Sequence, residues 1–451
     1  MAVQLNTTII DQTNSREEEE EEEEEEVIIK LKSQIASLKS KVKELEAENA
    51  KLSSTLANCR CNQAEEKLNV STGEHNIKNI KKKTIEKNSG HATTIMNHHL
   101  KRYVALKVMY FGQRFYGFSS EGQMDPTVES EIFKALERTR LLIGDKKEIQ
   151  YSRCGRTDKG VSAVGQVIAL LLRSKVKDID EIGKVFGETA SQKHSEGEID
   201  YVRVLNRVLP NDIRIIGWCP VPNDFSARFS CLSREYKYFF RGDNLNLLAM
   251  ESAGKKFIGE HDFRNFCKMD AMNVHNYRRN ITSFEISPCH ERYEGNQLFA
   301  IKIRGSAFLW HQVRCMVAVL FMIGQGLESP DVIDVLLDTV RTPRKPQYPM
   351  APEIPLVLHS CDFEGLQFTC STDAGKALRT HLENECRLYQ LQAAIFHEAI
   401  FSCLPLSNGR SLSNNGTCEK KASHVPLMLR PTEPSYEERR LKLENMKSRA
   451  C

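Results

Sequence analysis

The segment YSRCGRTDKGVSA carries the carboxylate of Asp158 between the cations Arg156 and Lys159. A carboxylate is ionised at neutral pH, so Asp158 is better suited to be a nucleophile or a charge stabiliser than a general base. Gly155 and Gly160 permit positive φ and hence a tight loop that exposes Asp158, while the cations can hold phosphates. A salt-bridged surface turn without a chemical role is the alternative.

A second cluster of chemically capable residues is NDFSARFSCLSREYKYFF. Tyr236 and Tyr238 share one face of a predicted strand, and Arg228 and Arg234 precede aromatic residues. Cations interleaved with aromatic rings suit single-stranded nucleic acid, whose bases stack and whose phosphates pair with cations. Aromatic residues of an ordinary sheet core would give the same pattern.

The third cluster is an apolar segment that holds one charge. Arg314 is the only Asp, Glu, Lys or Arg in residues 307–326, which are predicted to form a helix over 307–323. An arginine in a buried helix needs a carboxylate partner, and Asp158 is a candidate. Trp310 and His311 could line the same cleft. The alternative is that Arg314 extends to solvent.

Charge is unevenly distributed along the 451 residues. Residues 1–76 hold 9 Lys/Arg and 17 Asp/Glu, whereas residues 77–451 hold 54 and 43. A basic body suggests a polyanionic partner, although a generic basic protein fits equally well.

Several classes of protein are disfavoured. The 14 cysteines have no zinc-type spacing, so no metal is expected, and a reducing compartment is indicated. The polar, acidic first residues do not form a signal peptide. The longest apolar run, Cys315–Ile323, is far shorter than the ~20 residues of a membrane helix, so no membrane association is expected.

The N-terminal region is predicted to have three parts. Residues 1–26 end in consecutive glutamates and are predicted to form a disordered acidic tail. Residues 27–57 have heptad spacing with Asn49 at a core position, which favours a coiled coil over a single long surface helix. Residues 58–100 are polar and lysine-rich, a basic linker that could contact phosphates or act as a weak nuclear signal, or have no role. The apolar heptad positions are Ile28, Leu31, Ile35, Leu38, Val42, Leu45, Leu52 and Leu56.

The body alternates predicted strands and helices, which indicates an α/β or α+β fold. We divide it into halves at 101–230 and 231–370, followed by a helical extension and tail at 371–451. Helices are predicted at 127–142, with Thr127 as N-cap, and at 250–259, 329–341 and 376–402. Strands are predicted in the segments RYVALKVMYFG, VGQVIALLLRS, IRIIGWCPVP, REYKYFFRG, RNITSFEISP and NQLFAIKIRGS.

Taken together, GRTDKG, DFSARF with REYKYFF, and GSAFLWHQVRCMVAVL occur in the order and spacing that resemble the TruA-type tRNA pseudouridine synthases. YFGQRFYGF and GEHDFRNF also fit, and the resemblance covers about residues 101–365. NFCKMD is similar to the eukaryotic branch that modifies uridines 38 and 39 of tRNA. The resemblance implies a mixed α/β fold, with two like halves around a central antiparallel sheet and flanking helices.

The resemblance also implies roles for individual residues. Asp158 matches the essential aspartate, Tyr236 the tyrosine that stacks on the uracil and assists proton removal, and Arg314 the arginine that pairs with the aspartate. Arg156 matches the arginine that helps to extrude the target nucleotide. The remaining residues expected to contact substrate are Lys159, Phe308, His311 and Leu356.

The expected function is therefore an isomerase, a tRNA pseudouridine synthase acting on the anticodon stem-loop around positions 38 and 39. It would need no cofactor, work as a homodimer and occur in nucleus and cytoplasm. A catalytically inactive RNA-binding or assembly protein, or the same isomerase acting on other tRNA positions or other RNAs, is the alternative.

Overall fold

The computed structural model describes residues 33–37, 40–44, 46–47, 100–120, 124–142, 148–176, 197–293, 296–403 and 424–448, without the side chains of 290–296 and 447. The chain divides into two units, Met1–Thr93 and Thr94–Cys451. The acidic tail and nearly all of the predicted linker lie outside the described residues. No helix in the described part of the chain is long and apolar enough to cross a membrane.

The described residues of the first unit, 33–37, 40–44 and 46–47, are helical, as the heptad spacing requires. Two of the predicted seam residues, Ile35 and Val42, are among them, and both are exposed. The other heptad positions lie outside the described residues. The helix is therefore seen in part, and its pairing into a coiled coil stays a prediction.

The second unit is built on one mixed sheet. Its strand order is β4-β1-β3-β9-β5-β8-β7-β6, with β2 paired to β3. The strands are β1 (Lys101–Tyr110), β2 (Ser152–Arg153), β3 (Ser162–Arg173), β4 (Ile213–Pro220), β5 (Cys231–Arg241), β6 (Gly259–Asp262), β7 (Arg278–Tyr293), β8 (Asn296–Gly305) and β9 (Leu356–Phe363).

The centre of the sheet corrects the expectation of an antiparallel sheet. β3 and β9 run parallel, with Ser162 opposite Val357 and Ala163 opposite Leu358, whereas the other strand pairs are antiparallel. β9 comes last in sequence and lies between β3 and β5, so it joins the strands of the two predicted halves into one sheet.

Helices flank this sheet. They are α1 (Val128–Arg138), α2 (Tyr201–Asn206), α3 (Leu247–Lys255), α4 (Gln312–Gly324), α5 (Val332–Leu337), α6 (Thr372–Phe401) and α7 (Tyr436–Ser448). The predicted N-cap of α1 is confirmed. The Thr127 hydroxyl accepts a 3.1 Å hydrogen bond from the Ser130 amide, and the Ser130 hydroxyl accepts one from the Thr127 amide.

Apolar side chains form two clusters. The first packs β1, β3 and β4 against α1 and α2, and the second packs β5, β7 and β8 against α3 and α4. Tyr236, on β5, contacts both clusters. The predicted active-site tyrosine therefore lies where the two halves of the molecule meet.

Candidate active site

Asp158 lies on the Asp158 loop, which we define as residues 154–161 between β2 and β3. Buried hydrogen bonds hold this loop on both sides of the aspartate. The Gln166 amide donates to the Gly155 carbonyl at 2.8 Å, and the Phe118 amide donates to the Thr157 carbonyl at 3.1 Å. The Thr157 hydroxyl shares a 2.8 Å hydrogen bond with that of Tyr110. The loop is therefore fixed to β1 and β3, in contrast to a loose surface turn.

The two glycines of the loop have different roles. Gly160 has a φ of +80°, and a Cβ built on it would lie 2.7 Å from the Cγ of Glu353. Gly155 does not have positive φ, and a Cβ there would meet nothing within 4 Å. Of the two glycines, Gly160 alone uses the positive φ that glycine permits.

The carboxylate of Asp158 is partly exposed and has two aromatic neighbours. Trp310 donates a hydrogen bond from Nε1 to Asp158 Oδ1 at 3.1 Å, and His311 Nε2 lies 3.4 Å from Oδ2. Both neighbours come from the turn that leads into α4. Each oxygen of the carboxylate thus faces a nitrogen of this turn, while a quarter of the Asp158 side chain, 24%, remains accessible.

His311 has an unusual backbone conformation. Its φ of 61° and ψ of 10° are left-handed, which is costly for a residue other than glycine and typical of functional sites. Burial lowers the pKa of His311, the charge of Asp158 opposes that shift, and Arg314, Lys268 and Lys345 reinforce it. His311 is therefore a neutral imidazole at physiological pH. Its conformation also explains why α4 begins at Gln312, five residues after the predicted start.

Arg314 corrects the expected pairing with Asp158. Its Nε donates to the Ala351 carbonyl at 2.7 Å and its Nη2 donates to Glu353 Oε2 at 2.8 Å. The segment that precedes β9 supplies both acceptors. The Asp158 oxygens have Trp310 and His311 as neighbours, and the carboxylate that Arg314 binds is that of Glu353.

Glu353 connects Arg314 to the Asp158 loop nonetheless. The close approach of its Cγ to the position of a Cβ on Gly160 shows that its side chain lies directly over that glycine, two residues after Asp158. An ordered chain of contacts therefore runs from α4 through Glu353 to the loop. Sequence reasoning missed Glu353, because no local spacing relates it to either neighbour.

Tyr236 is half-buried on β5 and packs edge-to-face on Phe308, with ring centroids 5.0 Å apart. Burial raises its pKa well above the usual value for tyrosine, and nearby ionisable groups, among them Cys361, Cys154 and Asp158, add to that effect. The phenol is therefore protonated at neutral pH. It can stack and donate a hydrogen bond, whereas removing a proton from a substrate would first require its own ionisation.

Arg234 does not fit the expected role of binding phosphates. Its guanidinium donates to the carbonyls of Ser306 at 2.6 Å, Arg228 at 2.7 Å and Cys154 at 3.1 Å. These acceptors belong to three separate segments around the site. Arg234 therefore joins the Asp158 loop to its surroundings, and both terminal nitrogens of its guanidinium donate to the protein.

Arg153, at the end of β2, also has a structural role. Its Nη1 donates to Glu129 Oε1 at 2.7 Å, and Tyr151 donates to the same oxygen at 2.6 Å. These bonds attach β2 to α1.

Cations near the loop lie over aromatic rings. Lys159 Nζ is 4.7 Å from the Tyr116 ring centroid, Lys268 Nζ is 4.2 Å from that of Trp310, and the Arg228 guanidinium is 5.3 Å from that of Phe229. Arg156 is exposed on the loop itself. The rings of Tyr116, Trp310 and Phe229 are also exposed. Such pairs offer stacking surfaces and charge together, which single-stranded nucleic acid requires.

Leu356 is the predicted contact residue with the least accessible side chain. It is buried in the second apolar cluster and lies opposite Tyr238 in the register of β9 with β5. Leu358 is the residue opposite Tyr236. The structure thus brings Asp158, His311 and Lys159 together at the loop, with Phe308 on Tyr236, and places Leu356 in the core.

Comparisons with known proteins give a consistent result. The sequence profile of a family described as tRNA pseudouridine synthase matches residues 253–364. A Homo sapiens protein named tRNA pseudouridine(38/39) synthase is 46% identical over 295 residues, which are 63% of this chain and 60% of that protein. Its Mus musculus namesake is 43% identical over 368 residues, 78% of this chain and 72% of that protein. The Saccharomyces cerevisiae namesake is 41% identical over 335 residues, 70% of each chain.

One solved structure with a weak match is also found. The crystal structure of a Cbf5-Nop10-Gar1 complex matches 48% of this chain and 45% of that chain, with 12% identity and a TM-score of 0.24.

Proposed function

Because the chain belongs to the tRNA pseudouridine synthase family, we propose that it isomerises uridine to pseudouridine in the anticodon stem-loop of tRNA, at positions 38 and 39. The observation that carries the proposal is the partly exposed Asp158 carboxylate on a rigid loop, faced by Trp310 and His311. The two positions come from the names of the relatives, which are at least 41% identical to this chain.

The reaction exchanges one bond for another within the same nucleotide. The bond from ribose C1′ to uracil N1 breaks, a bond from C1′ to C5 forms, and the proton leaves C5 and N1 gains one. The balance requires no oxidant, reductant or phosphoryl donor. The ionised carboxylate of Asp158 is the nucleophile in this proposal, and the Trp310 N–H fixes its orientation.

The target nucleotide must leave its stack before it can reach Asp158. Extruding a base costs a few kcal/mol, and stacking on an aromatic side chain returns ~1–3 kcal/mol. Tyr236 offers a ring held by Phe308 beside the loop, and Arg156 is exposed on the loop, where it can occupy the space that the base leaves. Because Tyr236 is a neutral phenol, its contribution is stacking and hydrogen bonding.

The experiment uses tRNA transcripts that carry uridine at position 38 only, at position 39 only, or at neither. Pseudouridine is mapped by carbodiimide modification and primer extension. Wild-type protein should modify the first two transcripts, and Asp158→Asn should bind them while forming no product. Asp243→Asn, at an exposed turn after β5, is the matched control and should remain active. If Asp158→Asn formed as much pseudouridine as the wild-type protein, the assignment of Asp158 as the nucleophile would be refuted.

The same assay separates the alternative functions. RNA binding without product from the wild-type protein would identify an inactive RNA-binding or assembly protein. Product at uridines outside positions 38 and 39, or in other RNAs, would keep the isomerase and change its target.

We also propose a homodimer. Two features support it: the heptads of residues 27–57, and the apolar residues that α6 exposes, among them Leu391, Ile395 and Phe396. Light scattering should give twice the chain mass. Ile395→Glu or removal of residues 1–90 should weaken the dimer, whereas Arg379→Glu, a charge reversal on a polar part of α6, should not. A monomeric wild-type protein would contradict the proposal.

We propose a distribution between nucleus and cytoplasm. The lysine-rich stretch at residues 78–88 is the sequence feature that supports nuclear entry. Replacing Lys81, Lys82 and Lys83 by alanine should shift a fluorescent fusion toward the cytoplasm. An unchanged distribution would exclude this stretch as the signal.

A further inference from the structure

Three buried cysteines converge beside the candidate site. Cys154 opens the Asp158 loop, Cys231 begins β5 and Cys361 lies in β9. Their Sγ atoms all lie within 4.8 Å of one another, and the residues are 3%, 8% and 9% exposed. They are far apart in the sequence, so no cysteine spacing could have revealed them.

A cation lies next to these three cysteines. Arg234 lies beside them, and the hydrogen-bond acceptors of its guanidinium are neutral carbonyls. No carboxylate of the described residues forms an ion pair with it. The positive charge of Arg234 can therefore balance a negative charge on thiolates of this cluster.

We propose that Cys154, Cys231 and Cys361 together bind one zinc ion. Three thiolates with Zn²⁺ form a group of charge −1, which the +1 charge of Arg234 neutralises. Zn–S bonds of about 2.3 Å in tetrahedral geometry place sulfurs about 3.8 Å apart, which the cluster reaches with small side-chain movements. Three protein ligands leave the fourth position for a water molecule. On binding, each thiol that is still protonated releases its proton to solvent.

The position of the site indicates what the ion would do. Its ligands come from three segments: the loop that carries Asp158, the strand that carries Tyr236, and β9, which joins the two halves of the sheet. A metal there would fix these three segments relative to one another. The role that we assign to the ion is to hold these segments together, and it goes beyond the isomerase activity proposed above.

The first measurement is the metal content of the full chain, purified under reducing conditions and reconstituted with ZnSO₄. We expect ~1 zinc per chain in the wild-type protein and near zero in Cys361→Ser or in the triple serine variant. Cys219→Ser is the matched control, since Cys219 is buried in β4 outside the cluster. The double variant Cys59→Ser, Cys61→Ser removes the close cysteine pair of the N-terminal region and should also keep the metal.

A second measurement does not depend on the variants folding. Cd²⁺ titration of the wild-type protein should produce thiolate-to-metal charge-transfer absorption that saturates at one equivalent. It should also protect Cys154, Cys231 and Cys361 from alkylation, as read by peptide mass spectrometry. A chelator should lower the Tm. No stoichiometric zinc or cadmium, metal retained by the triple variant, or a disulfide between two of these cysteines in the reduced preparation would overturn the proposal.

Discussion

The Arg314 guanidinium is hydrogen-bonded at 2.8 Å to the carboxylate of Glu353. The pairing with an acid that is expected of an arginine in an apolar helix is present, but the acid is Glu353 and not Asp158. Arg314 therefore acts on the Asp158 loop through Glu353, whose side chain covers Gly160.

We predict energetic coupling between Arg314 and Glu353. Arg314→Leu removes the bonds to Ala351 and Glu353 and should lower the free energy of unfolding by about 2–4 kcal/mol. Glu353→Gln should cost about 1 kcal/mol, because the Glu353 side chain is 37% exposed and water screens its charge. A double-mutant cycle in urea should give a clear interaction energy for this pair. If the cycle for Arg314 with Asp158 gave the larger value, Arg314 would pair with Asp158 in solution.

Gly160→Ala should damage the site, whereas Gly155→Ala should not. Alanine at Gly160 would adopt a strained φ and collide with Glu353. We expect the free energy of unfolding of Gly160→Ala to fall by about 1–3 kcal/mol and its kcat to fall at least tenfold. A Cβ on Gly155 would have no neighbour within 4 Å, so Gly155→Ala should change the free energy of unfolding by no more than about 0.5 kcal/mol.

Thermal unfolding and tritium release from tRNA containing uridine labelled at C5 measure both effects. The double variant Gly160→Ala, Glu353→Ala should recover the part of the loss that is due to the collision. Equal behaviour of the two glycine variants would show that the conformation of Gly160 does not matter.

His311 should make the fold sensitive to acid. Burial lowers its pKa in the folded state, whereas in the unfolded chain it titrates near 6.5. As the pH falls below about 6.5, the unfolded chain therefore takes up a proton that the folded chain does not, and the free energy of unfolding decreases by up to about 1.4 kcal/mol per pH unit. Asn tolerates the left-handed backbone of His311, so His311→Asn should reduce this slope.

Urea unfolding between pH 5 and 8 tests this prediction. The slope should not vanish in His311→Asn, because burial also lowers the pKa of His359. His275→Asn, at an exposed histidine, should retain the wild-type slope. Identical slopes for wild type and His311→Asn would refute the role of His311.

The sequence predicts those features of the fold that depend on local pattern. The N-cap of α1 and the strands β1, β3, β4, β5, β7 and β8 follow from side-chain type and alternation. β9 is not among the predicted strands, because its segment LVLHSCDF has no sustained alternation of apolar and polar residues. Its parallel pairing with β3 joins residues almost two hundred positions apart, and no local pattern encodes that.

The same distinction applies to the site. Asp158 could be identified from its loop, and Trp310 and His311 from their position before an apolar helix. The partner of Arg314 could not be identified, because the position of Glu353 beside Arg314 depends on the path of the chain into β9. The hydrogen bonds of Arg234 likewise depend on carbonyls of three separate segments, so its sequence neighbours suggested a phosphate contact that the structure does not favour.

Lys268 and Trp310 should contribute to different steps. Lys268 is placed over the outer ring surface of Trp310, where a phosphate could reach it, while the indole N–H of Trp310 binds Asp158. Lys268→Ala should therefore weaken tRNA binding and reduce the slope of log K against log salt by about 0.7–0.9, the value for one phosphate contact. Trp310→Phe retains a ring but loses the hydrogen bond to Asp158, so it should lower kcat and leave the salt slope unchanged.

Filter binding at several salt concentrations, with turnover measured on the same tRNA, separates the two effects. Lys134→Ala is the control for charge, because Lys134 is exposed on α1 and pairs with Asp125 and Glu131. Lys134→Ala should leave the slope of log K against log salt unchanged from the wild-type value. If Lys268→Ala and Lys134→Ala changed the slope equally, net charge would explain binding and Lys268 would have no specific phosphate contact. If Trp310→Phe changed the slope and left kcat intact, the indole would bind RNA without orienting Asp158.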